Sequence, residues 1–151
     1  AVSVICGVCR ERTYEGQPAA ELEMAADESC SETYRGMVEM DGPVVVLDTI
    51  PIVRAAVEDC TAHVDNAVIS ARFHNSLVAL LTEACRIVRE QSGIEVVALS
   101  GGVFQNAIIA TRLQETLQRS GFEVLVHGIV PPNDACISLG QVAVAAARYG
   151  S

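Results

Sequence analysis

The chain has 151 residues, of which half are hydrophobic and only 4% aromatic, and its formal net charge is -9. This length suffices for one domain with a core built mainly from Val, Ile, Leu and Ala, and is too short for two. All ten cationic residues are Arg, and residues 1–41 hold nine acidic residues against three Arg, which counts against nucleic-acid binding. No apolar run approaches the roughly 20 residues that cross a bilayer, so we expect no membrane segment.

The first residues predict two short helices. Apolar side chains recur at helical spacing over 2–11, and because the pattern is already under way at Ala1, we expect the chain to be part of a longer protein. Gly16 and Pro18 supply turn residues, and Pro18 suits the first turn of a second helix with the sequence AAELEMAA.

The next segment predicts a β-hairpin followed by a helix. Two stretches near 33–40 and 43–48 are rich in β-forming residues, and Asp41-Gly42 between them is a typical hairpin turn. Asp48 or Thr49 is then expected to cap a helix that runs to about Cys60.

The second half of the chain predicts a long helix followed by alternating strands and helices. The long helix has one apolar face over 66–91 and is expected to end at Gly93. The later elements are strand 94–99, helix 105–121, strand 122–127 and helix 137–150. This alternation predicts an α/β fold in which the two strands pair in parallel through a right-handed crossover.

Six cysteines offer little evidence for a metal or redox site. Cys60 and Cys85 lie on or just after helical patterns, which is typical of small core residues. Cys6 and Cys9 have the spacing of half a zinc or redox motif, but no second pair follows. We therefore expect a chain that resides in the reducing cytoplasm.

Two turns carry the residues that are best suited to bind a ligand. Gly101-Gly102 follow one predicted strand and Pro131-Pro132-Asn133-Asp134 follow the next, so both turns should lie at the same edge of the sheet. Backbone amides at 101–103 and the following helix start suit a phosphate, although a plain tight turn also explains the glycines. Asn106 would present its amide to a base or a ribose.

The acid and the histidines leave alternatives open. Asp134 is either a helix cap or a metal ligand, and a single carboxylate needs partners to hold a metal. His74 is expected on the helix surface or in packing, whereas His127 closes the second strand and would face the cleft. The histidines show no compact metal-binding spacing.

Four motifs follow one another along the chain: YEGQPAAELE (14–23), ARFHNSL (71–77), LSGGVFQNAII (99–109) and VPPNDACISLGQVAVAAAR (130–148). In this order they closely resemble the C-terminal part of the HypF family of carbamoyltransferases. The resemblance covers essentially the whole chain and implies a single domain over 1–151. This domain would be the second lobe of an actin/Hsp70-like (ASKHA) nucleotide-binding fold, a mixed sheet flanked by helices with parallel βαβα in its C-terminal half.

The resemblance also implies roles for individual residues. By their match to the family motifs, Gly101 and Gly102 would contact the phosphate, and Asn106 would lie close to the nucleoside. Glu15, Gln17 and Glu21 would line the ribose and adenine side. Asp134 would bind the metal.

The family's chemistry implies the cofactors and partners. Carbamoyl adenylate, made from carbamoyl phosphate and ATP in another HypF domain, would donate its carbamoyl group to the C-terminal cysteine of HypE during nickel–iron hydrogenase maturation. A divalent iron or zinc ion, shared with a first lobe outside this chain, would polarise the carbamoyl carbonyl. No catalytic residue is assigned to this chain alone, and we expect it to be inactive by itself.

Two departures from the family pattern keep other functions open. The histidine-rich motif of the first lobe is absent, and Ala135 and Cys136 replace two glycines that usually follow the acid. The alternatives are a non-catalytic nucleotide-binding or interaction module, and an O-carbamoyltransferase that acts on a small-molecule hydroxyl.

Overall fold

The computed structural model describes residues 1–149, so the Gly150 end of the last predicted helix lies outside the described residues. The helices of the described part are Val2–Ile5 (α1), Gln17–Met24 (α2), Ile50–Thr61 (α3), Asn66–Ser92 (α4), Ala107–Arg119 (α5) and Ile137–Tyr149 (α6). The strands are Met37–Asp41 (β1), Val44–Asp48 (β2), Val96–Leu99 (β3) and Glu123–Val126 (β4). Every predicted helix and strand is present, and the differences concern where the elements end and how they pack.

Helix α1 is much shorter than the predicted span of 2–11, so that prediction is wrong. Gly7 has a φ of 71°, in the left-handed region, and interrupts the helix after one turn. The amides of Val8 and Cys9 then turn back to the carbonyl of Ser3, at 2.9 and 3.2 Å. The predicted helix start near Pro18 is confirmed, because Pro18 lies in the first turn of α2.

Strands β1 and β2 form the predicted antiparallel hairpin. Asp41 pairs with Val44, which leaves Gly42-Pro43 as a two-residue turn. Residues 33–36 do not belong to the strand as predicted, because this segment bonds to helix α4 instead. The amide of Tyr34 donates to the Ser76 hydroxyl at 2.7 Å.

The long helices begin and end as the sequence predicts. Thr49 is the N-cap residue of α3, but its side chain makes no capping bond, and the Asp48 carboxylate accepts from the Ile50 amide at 2.9 Å instead. Helix α4 begins after Asp65, whose carboxylate accepts from the Ala67 amide, and ends at Gly93 with a φ of 70°.

Strands β3 and β4 are parallel and are joined through α5, which confirms the predicted α/β fold and its βαβ unit. Helices α4 and α5 cover one face of this pair through a core cluster made by Val78, Leu99, Leu113, Leu117 and Phe122. The four strands form two separate two-stranded ladders, not one continuous sheet. Helix α4 contacts both the hairpin and α5, and thereby links the two ladders.

A second core cluster lies where α1, α2 and α3 meet α4, and its buried members are Val2, Leu22, Ala56 and Ile69. Helix α6 takes part in neither cluster, because all of its described residues are exposed. Among the described helices, none combines the length and the apolar character that a bilayer crossing requires.

The cysteines differ in part from the prediction. Cys60 is not a free core thiol, since it forms a disulfide with Cys6, 54 residues earlier in the chain. Both lie beside the second core cluster, where α1 packs on α3. Cys9 is buried and is not disulfide-bonded. Cys6 and Cys9 therefore do not form the redox pair that their spacing would allow. Cys85 packs against the first core cluster, as predicted.

Candidate functional site

A cavity of about 430 Å³ lies between the N-terminal part of α2, helix α4 and the segment that leads into α5. Its walls combine apolar side chains with a few polar groups, which is the usual character of a small-molecule site. The lining includes Tyr14, Glu15, Glu23, His74, Gly102 and Asn106. Three of the four motifs meet here, those over 14–23, 71–77 and 99–109.

The turn after β3 brings backbone amides to this cavity. Gly101 adopts a φ of 109° and a ψ of 161°, a conformation that is essentially restricted to glycine. A short 3-10 turn, Gly102–Gln105, follows before α5. Within residues 1–149, the amides of Gly102 and Val103 have no hydrogen-bond partner. Gly102 is exposed, and a Cβ atom built on it meets nothing within 4 Å.

The turns after β3 and β4 touch each other, as predicted from the parallel pairing. The Gly101 amide donates to the Pro132 carbonyl at 2.7 Å, so this amide is not available to a ligand. His127 lies beside Ser100, with its Nε2 atom 3.0 Å from the hydroxyl. The phosphate-binding prediction for 101–103 is therefore narrowed to the amides of Gly102 and Val103.

Asn106 lies at the junction of the 3-10 turn and α5, and its side chain holds two neighbours. Its Oδ1 atom accepts from the Ile109 amide at 2.9 Å and caps α5. Its Nδ2 atom lies 3.0 Å from Nε2 of His74. One amide hydrogen and one lone pair remain for a ligand in the cavity.

His74 is buried in the cavity wall, with 2% of its surface exposed, so the helix-surface alternative is wrong. Its Nδ1 atom lies 2.8 Å from the Ser70 carbonyl. Burial lowers the pKa of His74 below its ordinary value of 6.5. The imidazole is therefore neutral at physiological pH.

The three residues expected on the ribose and adenine side do not all reach the cavity. Glu15 lines it, whereas Gln17 and Glu21 do not. Gln17 instead accepts from the amide and the hydroxyl of Thr13 and donates to Glu21 at 2.7 Å. These bonds hold the loop that carries Glu15.

Glu23 is a site residue that sequence reasoning missed. Its carboxylate accepts from the Ala107 amide at 2.6 Å and thereby joins α2 to the start of α5. The two residues are 84 positions apart in the sequence, and no local pattern signals that they meet.

Asp134 lies exposed in a 3-10 turn, Asp134–Cys136, that leads into α6. The cap of this turn is Asn133, whose side chain accepts from the Ala135 amide at 3.2 Å, so the cap alternative for Asp134 is wrong. Within the described part of the chain, the Asp134 carboxylate has no hydrogen-bond partner, and no group of three potential metal ligands forms. Ala135 and Cys136 keep a negative φ, so they replace the usual glycines without backbone strain.

A family model matches residues 1–141, and its description is "Carbamoyltransferase, Kae1-like Domain, second subdomain". The chain is 36% identical to the carbamoyltransferase HypF of Rhodobacter capsulatus over 158 residues, which covers all of this chain and 19% of that protein. It is 32% identical to HypF of Synechocystis over 142 residues, which covers 93% of this chain and 18% of the relative. The chain thus spans about a fifth of the length of these relatives.

Two solved structures have the same fold. A full-length HypF, crystallised in a phosphate- and nucleotide-bound form, matches all of this chain and 20% of its own with a TM-score of 0.92 and 38% identity. HypF of T. kodakarensis matches 95% of this chain and 19% of its own with a TM-score of 0.75 at 22% identity, which supports the fold alone. The chain belongs to the HypF carbamoyltransferase family and corresponds to a C-terminal region of those proteins, the second subdomain of their Kae1-like domain.

Proposed function

We propose that this chain is the nucleotide-binding lobe of a carbamoyltransferase that transfers a carbamoyl group from carbamoyl adenylate to the C-terminal cysteine of HypE. The observation that carries the proposal is the hydrogen bond from the Gly101 amide to the Pro132 carbonyl. It holds the glycine turn, which lines the cavity of about 430 Å³, against the turn that leads to Asp134.

The adenylate phosphate is assigned to the Gly102 and Val103 amides. These amides have no partner among the described residues, and the exposed Gly102 leaves room for a phosphate to approach them. The solved relative in a phosphate- and nucleotide-bound form supports this class of ligand.

The nucleoside is assigned to the cavity between Glu15 and Asn106. The carboxylate of Glu15 suits ribose hydroxyls, which donate hydrogen bonds, and Asn106 offers the remaining donor and acceptor of its amide. Gln17 and Glu21 act indirectly, since they hold the loop of Glu15 through Thr13.

Asp134 is assigned to a divalent iron or zinc ion that is shared with the first lobe. An exposed carboxylate without a protein partner fits a metal ligand, and the remaining ligands must come from outside this chain. When bound, the ion would polarise the carbamoyl carbonyl and offset the phosphate charge.

The reaction exchanges one bond to the carbamoyl carbon for another. The HypE thiolate forms the new carbon–sulfur bond, the carbon–oxygen bond to the phosphate breaks, and AMP leaves with the electron pair. This lobe contributes by holding the nucleoside and the phosphate of the donor, which is bound between two lobes, and by binding the leaving phosphate.

The phosphate assignment is tested with Gly102→Val, measured by calorimetry with AMP. The change leaves the fold intact, because nothing lies within 4 Å of the new Cβ atom, but it blocks the approach of a phosphate to the two amides. We expect AMP binding to be abolished. The matched control is Gly140→Val, an equally open position on α6 that should not alter the affinity. Unchanged affinity in Gly102→Val would remove the assignment.

The catalytic part is tested by comparing the chain alone with a HypF-type protein that carries it as its second Kae1-like subdomain. With carbamoyl phosphate, ATP and HypE, we expect transfer only in the complete protein. Turnover by the chain alone would contradict the proposal that the active site needs a first lobe as well. If the complete protein binds nucleotide but transfers nothing, the result favours a non-catalytic binding module. If it carbamoylates a small-molecule hydroxyl, the result favours an O-carbamoyltransferase.

A further inference from the structure

A chain of hydrogen bonds runs through the cavity wall and joins α2, α4 and α5. The Ser70 hydroxyl donates to the Leu22 carbonyl, and the Ser70 carbonyl lies 2.8 Å from Nδ1 of His74. Nε2 of His74 lies 3.0 Å from Nδ2 of Asn106, and Asn106 in turn caps α5 through Ile109. The proton positions along this chain follow from its two ends.

Each end of this series of hydrogen bonds fixes the orientation of one side chain. The Ser70 carbonyl only accepts, so Nδ1 of His74 carries the proton and Nε2 of the neutral ring is an acceptor. The Ile109 amide only donates, so Oδ1 of Asn106 must face it. Both constraints require the same amide orientation, with Nδ2 donating to His74. A flipped Asn106 would place two acceptors together at His74 and two donors together at Ile109.

The surroundings of His74 keep the ring neutral. Only 2% of the residue is exposed. Of the charged groups around it, Glu23 on α2 favours the protonated ring and Arg112 on α5 opposes it, while burial, the largest influence, lowers the pKa. Protonation would place an N–H group at Nε2 against the N–H of Asn106 and disrupt the contact.

We propose that His74 is a positioning residue of the nucleotide pocket, which locks the Asn106 amide so that its second Nδ2 hydrogen is presented to a hydrogen-bond acceptor of the nucleoside. The ligand part of this inference rests on the proposed function above, whereas the amide lock is a property of the chain without ligand. Because two contacts already hold the amide, the side chain is ordered before the nucleotide binds, and binding does not have to supply that ordering free energy.

The amide lock is tested by nuclear magnetic resonance without nucleotide. Long-range nitrogen–proton spectra of the chain should show the Nδ1–H tautomer of His74 at neutral pH. His74→Leu should shift the Asn106 side-chain amide resonances, and His74→Gln, whose carbonyl replaces Nε2 as acceptor, should shift them less. An Nε2–H tautomer, or Asn106 resonances that do not change in His74→Leu, would overturn the lock.

The ligand part is tested by AMP affinity in the same variants. We expect His74→Leu to weaken binding about tenfold and His74→Gln to recover most of it, to within about threefold of the parent chain. As the pH falls through the folded-state pKa of His74, which lies below 6.5, the parent chain should lose more affinity for AMP than His74→Gln, in which the AMP phosphate still titrates but position 74 does not.

The control is Ser76→Ala, which removes another fully buried polar group of α4 that bonds to Tyr34 instead of facing the cavity. It should reduce stability without changing AMP affinity. If His74→Gln binds as weakly as His74→Leu, the positioning role is overturned. If the parent chain itself does not bind AMP, the proposed function fails, and the tautomer and amide spectra still decide whether the lock exists.

Discussion

The turns after β3 and β4 lie side by side but are built in opposite ways. The first turn runs into a wall in which Asn106 is bonded to both His74 and Ile109, and Glu23 holds the start of α5. The second turn leads to an exposed Asp134 and to a helix without a buried residue. One hydrogen bond, from the Gly101 amide to the Pro132 carbonyl, connects them.

This difference indicates which parts of the site are complete in the chain. The side that we propose for the nucleotide is preformed, because its polar groups are already held by the fold and cost little to order. The side that we propose for the metal offers a single exposed carboxylate, and the chain spans about a fifth of the length of its relatives. We therefore expect substitutions in the first turn and the wall behind it to affect AMP binding, folding or both, depending on the position, and those in the second turn to affect transfer alone.

The largest effect is expected from Asp134→Ala in a HypF-type protein that carries this lobe. Loss of a metal ligand should lower carbamoyl transfer by at least about 100-fold, since a bound ion contributes several kcal/mol to the transition state. Thermal unfolding of the chain should be unchanged, because the carboxylate contacts no other described group. Transfer that survives the substitution would contradict the assignment.

A second contrast compares a leucine of the first core cluster with a leucine of α6. Leu113→Ala removes a 2% exposed side chain from the core below the first turn and should lower the free energy of unfolding by about 2–5 kcal/mol. Leu139→Ala lies on α6 with 54% exposure and should change it by less than about 0.5 kcal/mol in the chain alone. Urea denaturation measures both, and similar losses would show that α6 is packed in solution.

The two glycines provide a smaller contrast within one turn. Gly101→Ala places a side chain at a φ of 109° and should cost about 1–3 kcal/mol of unfolding free energy. Gly102→Ala meets no neighbour and has no such backbone strain, so its cost should stay below about 0.5 kcal/mol. Equal losses at the two positions would argue against the described turn.

The smallest effect concerns pH. The pKa of His74 is lower in the folded chain than its ordinary 6.5, so the unfolded state binds the proton more readily. Stability should therefore be complete above pH 6.5 and fall as the pH drops from there through the folded-state pKa, by at most about 1.4 kcal/mol per pH unit. Urea denaturation across this range should show the decline in the parent chain and a weaker one in His74→Gln.

Local patterns predicted most of the fold. The start of α4 near Asn66, its stop at Gly93 and the parallel pairing of β3 with β4 each follow from sequence patterns, and the structure confirms them. The length of α1 was missed because the left-handed Gly7 outweighs an apolar helical pattern that continues past it. The exposure of every described residue of α6 could not be predicted either, since the sequence of an apolar helix does not show what covers it.

The site was predictable only where a local pattern or the order of the strands brings residues together. The glycine turn and the meeting of the two turns followed from strand order. The bond between Glu23 and Ala107, the disulfide of Cys6 and Cys60, and the contact of His74 with Asn106 each join distant segments, so no local pattern announces them. Gln17 and Glu21 belong to the matching motif yet lie away from the cavity, because a motif does not separate lining residues from supporting ones.

The central claim is that a nucleotide phosphate binds at the edge where the two turns meet. The most direct measurement is a titration of the nitrogen-15-labelled chain with AMP, followed by nuclear magnetic resonance. We predict saturable shifts centred on the Gly102 and Val103 amides and the Asn106 side chain, whose positions line or adjoin the cavity. Shifts confined to α6 or to the β1–β2 hairpin, or no saturable shift at all, would contradict the account.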